Sequence, residues 1–366
     1  MYKLKKISKK IFDNYTKKIE NSHFMQTTSW GEYDKVTKYT NPNYLGLVDE
    51  NNKILGVALA IEEYIVGKYT CLKIPYGPIL DYNDKEILKI FINQIKDYAK
   101  YKNYYIIKFN PYIEKKYNLE TVLKKFNIKT NNQHKHINYQ IDIQNNRESQ
   151  KNIDKLLEEY DFYSIEITAN PTIEKVTDMI DEDHKMLFEI FREEDNFPIS
   201  LFTITLHITK TIKNIEKKIT KLNNQLSIIP IDHLDEELKL KLKTLKDKKN
   251  RLECELSKFK QYKLDYGTTY IINTNLMMEH KLEAWPIMNI TDNMDNEILE
   301  FFIYYEYINY FKSKDFKYLY LLNPLLEATE ITQYQKLFEP ELIEYEQDYY
   351  IITNKLINFI AQIKNK

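Results

Sequence analysis

Apolar residues recur at alternating steps of four and three along two consecutive stretches of the chain, 208–229 and 238–259. These steps form the a/d seam of a coiled coil rather than the wider stripe of an ordinary core-packed helix. Pro230 ends the first stretch, because it lacks an N–H and clashes with the preceding turn. The pattern predicts an antiparallel helical hairpin over 207–263 that projects from a body lying on both sides of it in sequence. The seam positions are Ile208, Ile212, Ile215, Ile219, Leu222, Leu226, Ile229, Leu238, Leu242, Leu245, Lys249, Leu252, Leu256 and Phe259.

The body reads as alternating strands and amphipathic helices, with a polar loop carrying aromatic anchors at 22–30. Before the hairpin the pattern predicts helices at 8–21, 85–101 and 119–126 and strands at 44–48, 54–64, 69–74, 104–109 and 137–143. Around and after it the predicted helices are 149–160, 172–193, 295–312, 330–336 and 352–363, and the predicted strands are 162–168, 268–276, 282–288, 316–322 and 342–351. The order strand, strand, helix, strand occurs on both sides. The sequence therefore predicts two similar α/β (α+β) domains, 1–145 and 146–206 with 264–366, the second interrupted by the arm at 207–263.

Composition narrows the functional classes. The net charge of −1, from 53 basic and 54 acidic residues, argues against a protein that attracts polyanions over its whole surface. The two cysteines, Cys71 and Cys254, have no metal or redox spacing and suggest a reducing compartment. The basic N-terminus leads into no apolar segment, and no stretch is long and apolar enough to span a membrane. A cytoplasmic location is expected.

Glycine is scarce, and this excludes most nucleotide chemistry. Five of the six glycines lie at or before Gly77, and the sixth is Gly267. A loop that wraps phosphates needs clustered glycines for close backbone approach, so no such loop exists after Gly77. His134 and His136 would face the same side of a strand, but no third ligand lies near them. No cofactor and no metal are predicted.

Two loops at predicted strand ends carry the most specific chemistry. Residues 76–82, Tyr-Gly-Pro-Ile-Leu-Asp-Tyr, follow one strand, and residues 110–112, Asn-Pro-Tyr, follow another. Prolines there cannot donate to a strand ladder, and a glycine permits unusual dihedrals. The residues alone leave two interpretations open: tight strand exits, or a rigid rim that holds a substrate at the end of the sheet, where α/β sheets usually bind ligands.

Three motifs make the resemblance to a family plain: Ser-His-Phe-Met-Gln-Thr at 22–27, the loop at 76–82, and Phe91 through Tyr98-Ala-Lys to Phe-Asn-Pro-Tyr at 109–112. With the inserted hairpin, the chain resembles the Fem family of peptidoglycan bridge-forming aminoacyltransferases. That resemblance implies two acetyltransferase-like (GNAT) domains with a coiled-coil arm. It also implies transfer of an amino acid from aminoacyl-tRNA to a lipid-linked or UDP-linked cell-wall precursor, without a metal or an acyl-enzyme. A lipid-linked substrate would bring the protein to the membrane surface, and related transferases would be partners.

The same resemblance supplies candidate site residues. Relatives usually carry an acidic residue where this chain has Asn110, whose carboxamide cannot accept a proton near neutral pH. Proton removal would then fall to Asp81, to the substrate or to water. Lys35 is the candidate contact for the precursor's phosphates, or else a solvated surface residue. The lysines of 238–263 would contact tRNA or simply face solvent. The other substrate-binding candidates are Trp30, Tyr76, Gly77, Pro78 and Tyr112.

Two other functions stay open. The loss of acidity at position 110, together with an acidic stretch at 152–160 where relatives have basic residues, fits a degenerate homologue that scaffolds cell-wall enzymes without catalysis. An unrelated coiled-coil adaptor is the third alternative, and the rim loops argue against it. An active transferase predicts amino-acid transfer from charged tRNA, whereas the scaffold predicts binding alone.

Overall fold

The computed structural model describes residues 2–19, 22–38, 40–66, 69–117, 119–126, 128–131, 136–145, 150–171, 179–182, 184–186, 199–229, 235–292, 294–324, 326–327 and 329–353. The helices are α1 (Lys9–Thr16), α2 (Thr28–Thr37), α3 (Lys85–Tyr101), α4 (Leu119–Lys124), α5 (Gln150–Glu159), α6 (Ile208–Ile228), α7 (Glu236–Tyr266), α8 (Ile298–Ser313) and α9 (Gln333–Lys336). Short 3-10 helices lie at Phe24–Gln26 and Lys115–Tyr117.

The strands of the first half are β1 (Lys3–Lys6), β2 (Pro42–Val48), β3 (Ile54–Val66), β4 (Tyr69–Ile74), β5 (Ile79–Leu80), β6 (Ile106–Phe109), β7 (Lys129–Asn131) and β8 (Ile137–Asp142). Those of the second half are β9 (Ile165–Ala169), β10 (Ile199–Leu206), β11 (Tyr270–His280), β12 (Glu283–Thr291), β13 (Tyr318–Tyr320), β14 (Glu341–Glu344) and β15 (Asp348–Ile352).

Within the described residues these strands form an eight-stranded and a seven-stranded sheet. The first has the order β1-β2-β3-β4-β6-β15-β7, with β5 beside β3, and the second has the order β14-β8-β13-β12-β11-β10-β9. The described neighbours pair antiparallel, except that β4 and β6 are parallel in the first sheet and β12 and β13 in the second. Both sheets therefore combine parallel and antiparallel pairing.

Each sheet takes one strand from the other half of the chain. β15 pairs with β6 and β7 in the first sheet, and β8 pairs with β13 and β14 in the second. The sequence had assigned 137–143 to the first unit and 342–351 to the second as one strand. The long strand is instead two, broken at 345–347, and its halves belong to different sheets. Because β8 and β15 each pair in the sheet of the other half of the chain, the domain limits predicted from the sequence, 1–145 and 146–206 with 264–366, stay a prediction.

The two sheets pack against each other through an apolar layer. On β3, Val57, Leu59 and Ile61 face this layer, while the alternate residues Ala58 and Ala60 face α3 on the other side. Alternation of this kind follows from the pleat, which sends successive side chains to opposite faces. The second sheet contributes residues such as Leu201 and Trp285 to the shared layer. Both faces of the central strands are covered, so their near-continuous apolar sequence is explained.

Local signals explain the helices that were predicted. In α3 the side chain of Asp84 accepts hydrogen bonds from the backbone N–H of Glu86 and Ile87, which caps the helix. The buried face of α3 follows helical spacing and packs on the first sheet. Its buried residues are Leu88, Phe91, Ile92, Ile95 and Ala99.

The arm forms as predicted. Its helices α6 and α7 are antiparallel, and every predicted seam position is buried or half-buried. Burial is greatest at the base, where Phe259 is fully buried against Tyr163, and falls toward the tip, where Ile228 is 79% exposed and Leu240 66% exposed. The base is anchored to the second sheet's domain, because the Tyr262 hydroxyl donates to the Met294 carbonyl at 2.6 Å. The hairpin is thus an arm rooted in the core.

Several elements differ from the prediction. The expected polar loop at 22–30 is the 3-10 helix Phe24–Gln26 followed by the start of α2, and both are buried. Thr27 caps α2 by accepting from the Trp30 N–H, a signal that the aromatic residues obscured. Strands β1 and β10 were not predicted. The predicted helix 352–363 falls outside the described residues after 353, and the predicted helix 172–193 falls mostly outside them.

Candidate functional site

A cavity of about 840 Å³ lies between the two sheets, next to the ends of β4 and β6. Its wall is drawn from both halves of the chain, including the segment before β15. A space of this size lies in the range of small-molecule and peptide-binding clefts, about 300–1,000 Å³. Residues of its wall include Trp30, Tyr76, Asn110, His136, Tyr345 and Asp348.

The turn after β4 is held in place by polar contacts from two distant segments. Tyr76 has left-handed backbone with φ 50°, which is uncommon for an aromatic residue. Its N–H donates to Oδ1 of Asn110 at 3.0 Å, and its hydroxyl donates to the carbonyl of Pro324 at 3.0 Å. Asn110 therefore acts as an acceptor that fixes the turn. The two predicted rim loops do meet at one site.

The motif at 22–27 contacts the same turn through Gln26. Its buried carboxamide donates to the carbonyl of Pro75 at 2.6 Å and accepts from the N–H of Leu59 at 2.8 Å. A Cβ on Gly77 would lie 2.6 Å from Cδ of Gln26, so only glycine leaves room for this contact. The motif at 22–27 and the turn at 75–78 are consequently one structural unit.

An aromatic wall backs this unit. The rings of His23 and Tyr76 stack with their centroids 3.9 Å apart, while Tyr112 and Trp285 approach His23 at 5.0 and 4.9 Å. His23 caps the 3-10 helix by accepting at Nδ1 from the Met25 N–H, and its side chain is fully buried. Burial lowers its pKa well below the ordinary value, with His280 adding to the effect. His23 is thus a neutral structural group.

Two buried N atoms on this wall have no hydrogen-bond partner among the described residues. They are Nε2 of His23 and Nε1 of Trp30. Trp30 lies on the cavity wall, yet its side chain is fully buried. A buried polar group without a partner costs free energy, on the order of 1–3 kcal/mol. These two nitrogens are therefore buried polar atoms that the described residues leave without a hydrogen bond.

A carboxyl group lies in the interface behind the aromatic wall. Glu283 accepts from Nε1 of Trp285 at 3.3 Å and from the hydroxyls of Tyr320 and Tyr112 at 3.4 and 3.5 Å. Burial raises its pKa to about 7, although these hydrogen bonds oppose the shift. The Tyr345 hydroxyl donates to those of Tyr112 and Tyr320 at 3.5 and 3.4 Å, which connects the cluster to the cavity. The pKa of Glu283 therefore lies close to neutral pH.

A histidine and a carboxylate form a pair on the cavity wall itself. Nε2 of His136 lies 2.9 Å from Oδ1 of Asp348, with side chains 20% and 26% exposed. Asp348 begins β15, whose register pairs Tyr349 with Phe109 of β6. Continuing this register by one residue places Asp348 opposite Asn110. The exchanged strand thus carries a carboxylate to the rim beside the amide of Asn110.

Basic residues also reach the cavity, but not the one predicted. Lys38, at the end of α2, lines it and pairs with Asp34 at 2.7 Å, and Lys73 lines it and pairs with Glu63 at 3.1 Å. Lys35 lies three residues earlier on the exposed face of α2, 3.8 Å from Glu32, and does not line the cavity. Lys38 is the C-cap of α2, where the backbone leaves the helical dihedrals, so helical spacing does not fix its direction.

The structure brings together most of the predicted site residues. Trp30, Tyr76 and Asn110 line the cavity, Gly77 and Pro78 complete its rim turn, and Tyr112 belongs to the aromatic wall.

Asp81 does not join them. It is exposed and accepts from the Asn83 N–H at 2.9 Å in a turn of its own. Sequence order alone did not indicate that after Pro78 the chain pairs with β3 as β5 and leaves the cavity.

Sequence reasoning missed the contributions of the second half: His136 as a partner of Asp348, the Glu283 cluster, and Lys38. No local motif marks these residues, because their proximity depends on the strand exchange. His134, which would face the same side of a strand as His136, lies outside the described residues. Among those described, no helix combines the length and apolarity needed to cross a membrane.

The fold and the cavity define the class: a mixed α/β protein of two packed sheets, with a two-helix arm inserted between β10 and β11 and a cavity between the sheets. A solved structure entitled "Crystal structure of FemX" has the same fold, with a TM-score of 0.69 over 98% of this chain and 100% of that one, at 15% sequence identity. The expected fold class is confirmed.

Sequence comparison matches the first part of the chain to a family. Residues 7–141 match the model of the FemAB family. Aminoacyltransferase FemA of Staphylococcus epidermidis is 27% identical over 116 residues, which is 31% of this chain and 27% of that protein. FemA of Staphylococcus aureus strain MW2 is 24% identical over the same shares. The chain thus matches about a quarter of the length of these relatives. The resemblance drawn from the three motifs is confirmed.

Proposed function

We propose that this protein is a Fem-type aminoacyltransferase, which transfers an amino acid from aminoacyl-tRNA to the stem or bridge peptide of a peptidoglycan precursor. The observation that carries the proposal is the cavity between the sheets, where the loops at 75–78 and 110–112 meet within a FemAB-family region. The name of the FemA relatives, aminoacyltransferase, gives the reaction type.

The reaction is attack of an amine on an ester that is already activated, so positioning supplies most of the rate enhancement. Holding both reactants in a near-attack geometry is worth roughly 7–11 kcal/mol. The cavity fits this task, because its rim turn is fixed by hydrogen bonds from Asn110 and Gln26 and its wall is a packed aromatic layer. A rigid wall loses little entropy when a peptide binds.

Recognition of the precursor's phosphates falls to Lys38 and Lys73 rather than to Lys35. Both line the cavity, and an ammonium group binds phosphate as a point charge. Each is already paired with one carboxylate, so a phosphate would have to share or displace that partner. The shared chemistry is a pyrophosphate, which UDP-linked and lipid-linked precursors both contain.

The test is a transfer assay with purified full-length protein. Transfer RNAs charged with radiolabelled amino acids would be incubated with a UDP-linked or a lipid-linked precursor that carries a free stem-peptide amine. We expect label to enter the precursor peptide with at least one amino acid, and not to enter a precursor whose amine is acetylated. Absence of transfer with every charged tRNA and both precursors would contradict the proposal.

The alternative is a non-catalytic scaffold, and one observation favours it. Asn110 uses its amide oxygen to fix Tyr76, and the other proposed base, Asp81, lies outside the cavity. A scaffold would be stabilised thermally by the precursor yet transfer nothing. If the wild-type protein transfers nothing, Asn110→Asp distinguishes a decayed enzyme from a scaffold. A large gain of amino-acid transfer indicates a decayed enzyme, and a variant that still transfers nothing indicates a scaffold.

A further inference from the structure

We infer that the His136–Asp348 pair is the proton acceptor of this cavity, which takes the proton from the ammonium group of the acceptor peptide. The inference rests on the proposed function and gives it a catalytic base that neither Asn110 nor Asp81 provides. Both members of the pair line the cavity and lie 2.9 Å apart.

The chemistry of the other residues on the wall leaves the pair as the suitable acceptor. The carboxamide of Asn110 does not take up protons, and lysine side chains are already protonated near neutral pH. Burial raises the pKa of Tyr345 to about 12, and it raises the pKa of Tyr76 further. Glu327 is exposed on the outer part of the wall. An imidazole is the side chain suited to accept a proton at pH 6–8.

The geometry of the pair sets the roles of its atoms. An ionised carboxylate only accepts hydrogen bonds, so Nε2 of His136 donates to Oδ1 of Asp348. The neutral ring then carries its lone pair on Nδ1, which is the basic atom. Asp348 fixes the tautomer and stabilises the imidazolium, as a carboxylate does for histidine in other acid–base sites. Asp348 is a positioning residue, and His136 is the catalytic residue.

The exchanged strands explain why the pair forms. His136 directly precedes β8, which joins the second sheet, and Asp348 begins β15, which joins the first. The Tyr345 N–H donates to the His136 carbonyl at 2.8 Å and thereby ties the two segments together just before they part. The ring of His136 also meets the Tyr76 ring edge-on, with centroids 6.4 Å apart. The base is therefore anchored to the rim turn that Asn110 holds.

The proton balance of the step is simple. Nδ1 of His136 takes one proton from the ammonium, which frees the amine lone pair. The amine nitrogen attacks the carbonyl carbon of the ester, so a C–N bond forms and the C–O bond to the tRNA ribose breaks. The departing ribose oxygen receives the second amine proton. The imidazolium returns its proton to solvent, and the net products are the amide, the free tRNA hydroxyl and one proton.

The experiment compares wild type with His136→Gln and Asp348→Asn over pH 5.5–9 at saturating charged tRNA. We expect kcat of His136→Gln to fall by roughly 10²–10⁴-fold with little change in KM, and its rate to lose the acid limb shown by wild type. Asp348→Asn should also lower kcat with little change in KM, because an amide no longer fixes the tautomer of the ring. The titratable groups that share the wall, and that both variants retain, are Tyr33, Lys38, Lys73, Tyr76, Glu327 and Tyr345.

His207→Gln is the matched control. His207 and Glu166 form a similar pair at 2.8 Å, but neither lines the cavity. This variant should keep the rate and the pH profile of wild type. Thermal melts check that each variant folds, and added imidazole should restore part of the rate of His136→Gly, which a purely structural role does not predict.

The outcomes separate the two proposals. An active wild type whose His136→Gln variant keeps both its rate and its acid limb overturns the assignment of the base alone. A wild type that transfers no amino acid to any precursor overturns the proposed function and, with it, this inference. Loss of the acid limb in His136→Gln, with imidazole rescue of His136→Gly, supports it.

Discussion

The arm and the cavity wall are built in opposite ways. The arm is two helices whose seam residues lie within 60 positions of each other, and its packing is apolar and graded from a buried base to an exposed tip. The cavity wall joins segments as distant as Trp30 and Asp348, it includes the unpartnered Nε1 of Trp30, and a buried carboxyl, Glu283, lies behind it. Contacts between residues close in sequence build the arm as a modular element, whereas contacts between distant segments bring together the polar groups at the cavity.

Substitution of Tyr349 tests the contacts between distant segments, and it has the largest expected effect on the free energy of unfolding. It is fully buried in the exchanged strand β15, stacked on Phe109 at 5.4 Å, with its hydroxyl bonded to Glu346 at 2.5 Å. Tyr349→Ala should lower the free energy of unfolding by about 3–5 kcal/mol, because it leaves a large cavity in the first sheet. Urea unfolding measures this. Tyr64→Ala, at a position 72% exposed on β3, is the control and should change stability by less than about 0.5 kcal/mol.

Phe259→Ala makes the matching test in the arm. The side chain is fully buried at the arm's base against Tyr163. We expect a loss of about 3 kcal/mol, confined to hydrogen-exchange protection in α6 and α7. Leu264→Ala, at a residue 80% exposed on the same helix, should have almost no effect. Equal loss of protection around the cavity wall would show that the arm is not modular.

Glu283→Gln probes the polarity of the wall through pH. The pKa of Glu283 in the fold, about 7, is above the ordinary 4.5, so the folded state binds the proton more tightly. Its contribution to stability is present at low pH and is lost as pH rises from about 4.5 through 7. The stability of the glutamine variant minus that of wild type should therefore grow, by on the order of 2–3 kcal/mol, between pH 5 and 8.

Urea titrations at several pH values give this difference. Its change with pH is the informative quantity, because an altered hydrogen bond to Trp285 would add the same offset at every pH. Burial also lowers the pKa of His280 to about 4, which weakens the fold below pH 6.5. Because His280 is the cross-strand neighbour of Glu283, the change of the difference above pH 6.5 is the part that reports on Glu283 alone. A difference that does not change with pH would mean that Glu283 is not protonated near neutral pH.

Alanine substitutions at two glycines test the comparison with the smallest expected losses of stability. Gly77→Ala places a Cβ 2.6 Å from the Gln26 side chain, so we expect a loss of about 1–3 kcal/mol from overpacking. Gly267 ends α7 with φ 87° and ψ −149°, a region open essentially only to glycine, and has open space around it, so Gly267→Ala should cost backbone strain alone, roughly 1–3 kcal/mol. Thermal melts measure both losses. An unchanged melting temperature for Gly77→Ala would contradict the close packing assigned to the rim turn.

The sequence by itself determined the arm, the helix α3 and the mixed α/β class, because each depends on periodicity and capping among neighbouring residues. It also identified the motifs whose turns meet at Tyr76 and Asn110. Only the tertiary structure decided that β8 and β15 exchange sheets, that Lys38 rather than Lys35 reaches the cavity, and that His136 meets Asp348. Strand pairing across more than 200 residues is set by packing of whole sheets, and no local pattern encodes it.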